Sequence, residues 1–215
     1  MGEDRTQAGA GPAPQTLPDL LRPGLDIVFV GINPGLRSAQ AGRYFAHPRN
    51  RFWPAANAAG VFVPPLSPET GCDALAQGIG FTDVVKRPSG SASEVRPAEF
   101  AAGALVLKRK LLEAAPKIVC FNGLTACENY LRYADPPAGT RRSALSLPPD
   151  LVRGVQGSKG AVPFARPSPG RQEWPIGKAA VFVVPSPSPA NAAVSLDELT
   201  GWYRQVAELR NELRS

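Results

Sequence analysis

Asp26-Ile-Val-Phe-Val-Gly-Ile-Asn-Pro-Gly35 decides the fold class of this chain. Its first part, Asp26 to Gly31, is β-branched and aromatic with no polar alternation, which suits a parallel strand buried on both faces. Two further runs have the same character, Lys117-Ile-Val-Cys-Phe121 and Ala179-Ala-Val-Phe-Val-Val184. Between the first and second lies a helical pattern from Pro97 to Ala115, with Pro97 placed for a first turn and Lys108, Arg109 and Lys110 in the later part. After the third run, Ser195-Leu-Asp-Glu198 forms a capping box, and Leu196, Leu199, Trp202, Tyr203, Val206, Leu209 and Leu213 recur at helical spacing. Strand, crossover helix and strand predict a three-layer α/β/α fold with a mainly parallel central sheet. Ligands of such folds bind at the carboxyl ends of the strands.

The chain's 215 residues, 43% of them hydrophobic, suit one domain with a sizeable core better than two. Residues 1–18 show no apolar period and read as a disordered tail, so the domain is expected over 19–215. From about 133 to 178 Pro, Gly and Ser dominate and basic residues outnumber acidic ones, which reads as an extended basic loop with at most one hairpin. No run approaches the ~18 apolar residues of a membrane span, and the first twenty residues lack a basic region followed by an apolar one. The expectation is a soluble, cytoplasmic protein. Cys72, Cys120 and Cys127 are too few and too scattered for a disulfide framework, a zinc finger or a four-cysteine cluster, and His47 is the only histidine. No metal and no cofactor is expected.

A formal charge of +6 points to a polyanionic partner, and its distribution sharpens the point. Between Asp26 and Glu69 there is no acid, while Arg37, Arg43, Arg49 and Arg51 lie among Tyr44, Phe45, Phe52 and Trp53. That is the composition of a nucleic-acid face, or of a segment whose arginines are simply solvated. The two strongest strands end in unusual turns, Gly31-Ile-Asn-Pro-Gly35 and Pro185-Ser-Pro-Ser-Pro-Ala-Asn-Ala192, at the edge where active loops sit. Taken singly, the first is a tight turn that lacks the Gly-Lys-Ser/Thr ending of a phosphate-binding loop, and the second a rigid strand exit.

Together they carry a resemblance. Val28-Phe-Val-Gly-Ile-Asn-Pro-Gly-Leu36, followed by Gly42-Arg-Tyr-Phe-Ala-His-Pro-Arg-Asn-Arg-Phe-Trp53, closely resembles the first motif of the mismatch-specific uracil-DNA glycosylases, the branch of the uracil-DNA glycosylase superfamily that includes thymine-DNA glycosylase. Gly80-Phe-Thr-Asp-Val-Val-Lys-Arg-Pro88, Phe121-Asn-Gly123 and Val184-Pro-Ser-Pro-Ser188 match in the same order, so the resemblance spans about Leu25 to Leu213.

The resemblance implies hydrolysis of a base flipped out of duplex DNA, because the glycosidic bond is inaccessible in the stack. It places Asn33 at the family's catalytic position, where a neutral amide can orient water but cannot effectively take its proton. It makes Phe45 the stacking platform, gives Ile32 and Phe45 main-chain contacts to the base, puts Gly35 in the substrate-binding turn, and puts Ser38 where the family tunes entry of a thymine methyl. Asp83 departs from the lysine or amide of the family's Gly-Phe-Thr-X segment; it is either a second catalytic group acting on water or a turn or helix-cap aspartate. Arg37, Ser186 and Ser188 are expected on DNA phosphate, with Pro189, Ala190 or Asn191 entering the duplex. The family's large wedge and guanine-reading arginine are missing from Pro187-Ser-Pro-Ala-Asn-Ala192.

The expected protein is therefore a monomeric, monofunctional glycosylase that removes uracil from double-stranded DNA, best from mismatched or easily opened pairs such as G·U, and leaves an abasic site. The competing readings are a broader-range damaged-base glycosylase also acting on single strands, a catalytically weak lesion binder, and an α/β domain binding a nucleotide or other small phosphate.

Overall fold

The computed structural model describes residues 16–134 and 167–214. In chain order the regular elements are β1 (Ile27–Gly31), α1 (Leu36–Ala41), α2 (Phe52–Ala58), β2 (Ile79–Asp83), α3 (Pro97–Ala114), β3 (Ile118–Asn122), α4 (Leu124–Tyr133), β4 (Gly170–Arg171), β5 (Ala180–Val184) and α5 (Leu196–Glu212). They form a five-stranded sheet of order β2-β1-β3-β5-β4, with the first four strands parallel and β4 antiparallel on the edge. The expected α/β/α architecture is what the structure has.

Side-chain alternation along the buried strands separates two cores. Ile27 and Phe29 of β1, Phe81 of β2 and Cys120 of β3 face α2 and α5, meeting Phe52, Trp53, Leu199, Tyr203 and Val206. Val28, Val30, Val119, Phe121 and Val183 face α3 and α4, meeting Phe100, Leu107, Leu111 and Tyr130. The first core is aromatic: the Phe29 ring meets Phe52 edge-on with centroids 5.2 Å apart and stacks on Phe81 at 6.0 Å. At α5 the capping box is formed, Ser195 Oγ accepting from the Glu198 amide at 3.1 Å and Glu198 Oε2 from the Ser195 amide at 2.9 Å.

The chain leaves β1 toward β2 on one side and then reaches β3 on the other. The crevice outside the carboxyl end of β1 is thus a topological switch point, where open α/β sheets bind ligands. Strand register lines up its floor, since Gly31 pairs with Asp83 across β2 and Asn122 pairs with Val184 across β5.

Order begins earlier than the tail boundary at residue 18. Leu17 is buried in the aromatic core, Thr16 Oγ1 donates to the Lys86 carbonyl, and Leu20 exchanges hydrogen bonds with Phe81 at 2.9 and 3.0 Å along the free edge of β2. An apolar anchor and an unpaired strand edge hold the segment. Residues 1–15 lie outside the described residues, as do 135–166 of the expected basic loop. At the loop's ends, Tyr133 closes α4, and Gly170–Arg171 make the short antiparallel pairing with β5.

Candidate active site

A cavity of about 380 Å³ opens over the carboxyl ends of β1, β2 and β3. Asn33, Phe45 and Asp83 line it together, from three separate segments. Ile32, Gly35, Ser38, Ser186, Ser188, Pro189 and Ala190 also contribute to its wall.

Asn33 follows β1 in the tight turn. Its Nδ2 donates to Ser89 Oγ at 2.8 Å, to the Arg87 carbonyl at 2.9 Å and to the Pro34 carbonyl at 3.3 Å. Carbonyls only accept, so these bonds fix which way the amide faces and leave Oδ1 as the acceptor for the cavity. The supporting loop is itself tied down. The Gly35 turn bridges to Ser89, the Ser89 amide donates to the Pro34 carbonyl at 3.1 Å, and Arg87 grips Glu99 of α3 with Nη2 at 3.0 Å. Of this 87–91 loop, only Arg87 and Pro88 fall within the segment that carries the resemblance, and Ser89, which takes the Asn33 amide, follows it.

Asp83 is the last residue of β2, neither a turn nor a cap aspartate, and it is 6% exposed. Its Oδ1 occupies the space a Cβ would take on Gly31, so glycine at the end of β1 is what lets the carboxylate enter. Oδ2 has no hydrogen-bond partner, and Lys86 Nζ stands 4.0 Å from it. Burial pushes the carboxyl up to about 7; Lys86 and Lys110 pull it down and Asp19 pushes it further up. A carboxyl that titrates near neutrality inside a cleft is suited to proton transfer.

Phe45 has φ +53°, left-handed backbone that a non-glycine residue adopts at a cost of about 1–3 kcal/mol. Both flanking peptides are pinned. Trp53 Nε1 donates to the Tyr44 carbonyl at 3.1 Å, and the Ala46 amide donates to Ser38 Oγ at 3.1 Å. The buried Ser38 hydroxyl thus shapes the Phe45 loop as well as the cavity wall. The Phe45 ring stacks on Phe52 with centroids 4.1 Å apart and planes 22° apart, and it remains half-buried at the cavity. The Ile32 carbonyl accepts from the Val85 amide at 2.9 Å, which leaves its amide as the main-chain group for a ligand.

The basic face divides. Arg37 and Arg49 are exposed, and exposed Arg43 pairs with Glu69 at 3.3 Å. Arg51 is not a solvated arginine, because its guanidinium donates to the carbonyls of Ser188 at 3.2 Å, Asn191 at 2.6 Å and Val194, while its amide donates to the Pro187 carbonyl at 3.1 Å. It clamps the loop that follows β5. Asn191 shares that work: its Nδ2 donates to the Ser186 carbonyl at 3.0 Å, so Pro189 and Ala190 are the exposed residues at the rim.

Asn122 and His47 also line the cavity, and neither was assigned a role from sequence. Asn122 is 4% exposed, its Oδ1 accepts from Tyr203 Oη at 2.9 Å, and its Nδ2 has no partner. His47 Nδ1 accepts from the Arg49 amide at 3.1 Å. Among the described residues there is no cluster of three side chains able to hold a metal, and no helix long and apolar enough to cross a membrane.

A profile of the Uracil DNA glycosylase superfamily matches residues 18–209. Among solved structures, the solution structure of a candidate uracil DNA glycosylase from Methanosarcina acetivorans superposes with a TM-score of 0.51 at 22% sequence identity, covering 92% of this chain and 97% of that one. At that identity the likeness concerns the fold.

Proposed function

The chain belongs to the uracil DNA glycosylase superfamily, and on that premise we propose that it hydrolyses the N-glycosidic bond of uracil flipped out of duplex DNA, with Asn33 and Asp83 acting on one water. The observation that carries this reading is the pair of partnerless acceptors, Asn33 Oδ1 and Asp83 Oδ2, in a single cavity beside the Phe45 ring.

In this reading the flipped pyrimidine stacks on Phe45. As the C1′–N1 bond lengthens, charge separates into a cationic sugar and an anionic base, and main-chain donors such as the Ile32 amide stabilise the base oxygens. Asn33 Oδ1 accepts one hydrogen of the water. Asp83, ionised above about pH 7, takes the other as the oxygen bonds to C1′. The electron pair of the broken bond leaves with the base, which takes up a proton to depart as uracil, and the abasic sugar keeps the hydroxyl. Lys86, the amine nearest Asp83, is held by Asp19 at 2.8 Å and is not among the residues lining the cavity, which supports a monofunctional reaction.

The rim bears on the substrate. Pro189 and Ala190 fill little space, so opening a base pair gains little from a protein wedge. Uracil in weak pairs, G·U above all, is the favoured substrate, as it is for the mismatch-specific branch. Single-turnover release of uracil from G·U, A·U and single-stranded substrates tests this. Faster release from G·U than from A·U is the expected result. Equal rates on all three substrates would favour the broader-range reading, and binding without any release would favour a lesion binder.

A further inference from the structure

The segment before β1 reaches the candidate active site through three consecutive residues. Leu17 is buried and lines the cavity, the Pro18 carbonyl accepts from Tyr44 Oη at 3.1 Å, and Asp19 gathers three side chains from elsewhere in the fold. Asp19 Oδ1 accepts from Thr82 Oγ1 at 2.7 Å and from Lys86 Nζ at 2.8 Å, while Oδ2 accepts from Lys110 Nζ of α3 at 2.5 Å. Leu20, the next residue, pairs with Phe81, so the backbone beside this carboxylate is fastened to the strand that ends in Asp83.

Lys86 stands between the two acids. Its ammonium is in contact with Asp19 but 4.0 Å from Asp83 Oδ2, the buried oxygen that has no hydrogen-bond partner. A lysine stem is flexible, and a desolvated ammonium beside a desolvated carboxylate closes on it unless something else holds it. Asp19 supplies that hold. Burial would raise its carboxyl, but hydrogen bonds from Lys110, Lys86 and Thr82 outweigh burial and keep it below its usual range, so it stays ionised where Asp83 titrates. Tyr44, from the loop before α2, also faces the group; burial first, then the charges of Asp83 and Asp19, push its hydroxyl up, so it stays neutral. His47 lines the same cavity, and Gly31 of β1 brings no side chain. Lys86 and Lys110 against Asp19 leave one positive charge in surplus, so the cluster tolerates Asp83 both with and without its proton. An unpaired carboxylate oxygen can take a proton from water, whereas one in a close ion pair is a weaker base with its lone pairs engaged.

We infer that Asp19 is a positioning residue for the reaction: by holding Lys86 and Lys110 it keeps Lys86 from closing on Asp83 and leaves Asp83 Oδ2 free to act on water. This rests on the reading of Asp83 as the base in a DNA glycosylase. Asp19 itself touches neither the substrate nor the water.

The test reads the ionisation midpoint of Asp83 in the free protein by carbon-13 NMR of the aspartate carboxyls, with its signal assigned by its loss in Asp83→Asn. The proteins are the wild type, Asp19→Asn, Lys86→Met and the double variant, and exchange protection of the Leu20 amide reports whether the segment stays in place. In Asp19→Asn the midpoint should fall by about one pH unit or more as Lys86 closes on Asp83, and adding Lys86→Met should reverse at least about half of that fall. In Lys86→Met alone, which decides the matter if Asp19→Asn does not fold, the midpoint should rise by less than about one pH unit, because the ammonium is spent on Asp19. An unchanged midpoint in Asp19→Asn, or falls of equal size with and without Lys86, would overturn the inference. So would a larger rise in Lys86→Met, which would show the ammonium already paired with Asp83, and so would lost Leu20 protection in Asp19→Asn, which would make Asp19 an anchor of the fold only. Single-turnover uracil release is scored separately, and its acid limb should move with the midpoint. Release by the wild type with a midpoint that stays put in Asp19→Asn overturns this inference alone. A midpoint that moves while the limb does not follow overturns the reading of Asp83 as the base and not the hold of Asp19 on Lys86.

Discussion

Lys86 gives its ammonium to Asp19 at 2.8 Å and stands 4.0 Å from Asp83 Oδ2. Asp19 also holds Lys110 and accepts from Thr82 Oγ1 at 2.7 Å, so the nearest cations are already engaged when Asp83 needs one. Burial outweighs their remaining pull, and the carboxyl titrates near 7.

That arrangement costs stability. The folded pKa of about 7 lies above the ordinary 3.8, so the folded state holds the proton more tightly than the unfolded one does. The stability linked to neutral Asp83 is fully present below about pH 4 and lost as pH rises through about 7. Asp83→Asn is expected to be more stable than the wild type at pH 8 by roughly 2–4 kcal/mol, with the gap closing toward pH 5. Urea unfolding of both proteins at the two pH values checks it, and a gap independent of pH would place the raised pKa elsewhere.

Gly31→Ala puts a methyl group where Asp83 Oδ1 lies. The carboxylate is expected to swing out of its place, slowing uracil release by about tenfold or more, while stability falls by only about 1–3 kcal/mol. Single-turnover kinetics and thermal melting of the variant separate the two effects. An unchanged rate would show that Asp83 need not sit against Gly31.

Phe45→Ala removes a stacking surface worth about 1–3 kcal/mol per base, and excision should weaken by that amount. The backbone should hold, because the Tyr44 carbonyl and the Ala46 amide keep their bonds to Trp53 and Ser38. Binding of a duplex with an abasic site should change little, since no base is there to stack. Equal losses on both duplexes would mean that Phe45 supports the loop and not the base.

Salt should separate the arginines. Arg37→Gln and Arg49→Gln are each expected to lower the slope of log affinity against log salt by about 1, as the loss of one phosphate contact does. Arg51→Gln should leave the slope nearly unchanged and lower thermal stability, because its guanidinium binds the carbonyls of Ser188, Asn191 and Val194. A full slope change in Arg51→Gln alone would return that residue to the DNA face.

The elements legible in the sequence are those whose signals are local. β1, β3 and β5 are continuous apolar runs, and α5 announces itself through the Ser195 capping box. β2 hides because Gly80, Thr82 and Asp83 interrupt its apolar character, yet each has a distant cause. A side chain at Gly80 would strike the Leu20 carbonyl, Thr82 bonds to Asp19, and Asp83 enters the cavity. Leu17 is a lone apolar residue among prolines, and its anchoring role depends on a core built from remote segments. Asn33 and Phe45 stand out through the motif they occupy, and Asp83 through its departure from one. The unpaired Asn122 amide on the cavity wall is a matter of burial and a missing partner, and the Arg51 clamp one of carbonyls about 140 residues away in sequence, properties that spacing alone does not express.

A titrating carboxylate and a fixed amide that share one hydrolytic water leave separate marks on the pH dependence of the rate. The single-turnover rate of uracil release between pH 5 and pH 8 tests it most directly, measured for the wild type, Asn33→Ala and Asp83→Asn. The wild-type rate should fall about tenfold per unit below pH 7, the Asn33→Ala rate should be much slower but keep that limb, and the Asp83→Asn rate should be at least about a hundredfold lower and flat. A wild-type rate that is flat across the range, or an Asp83→Asn rate equal to the wild type's at pH 8, would contradict it.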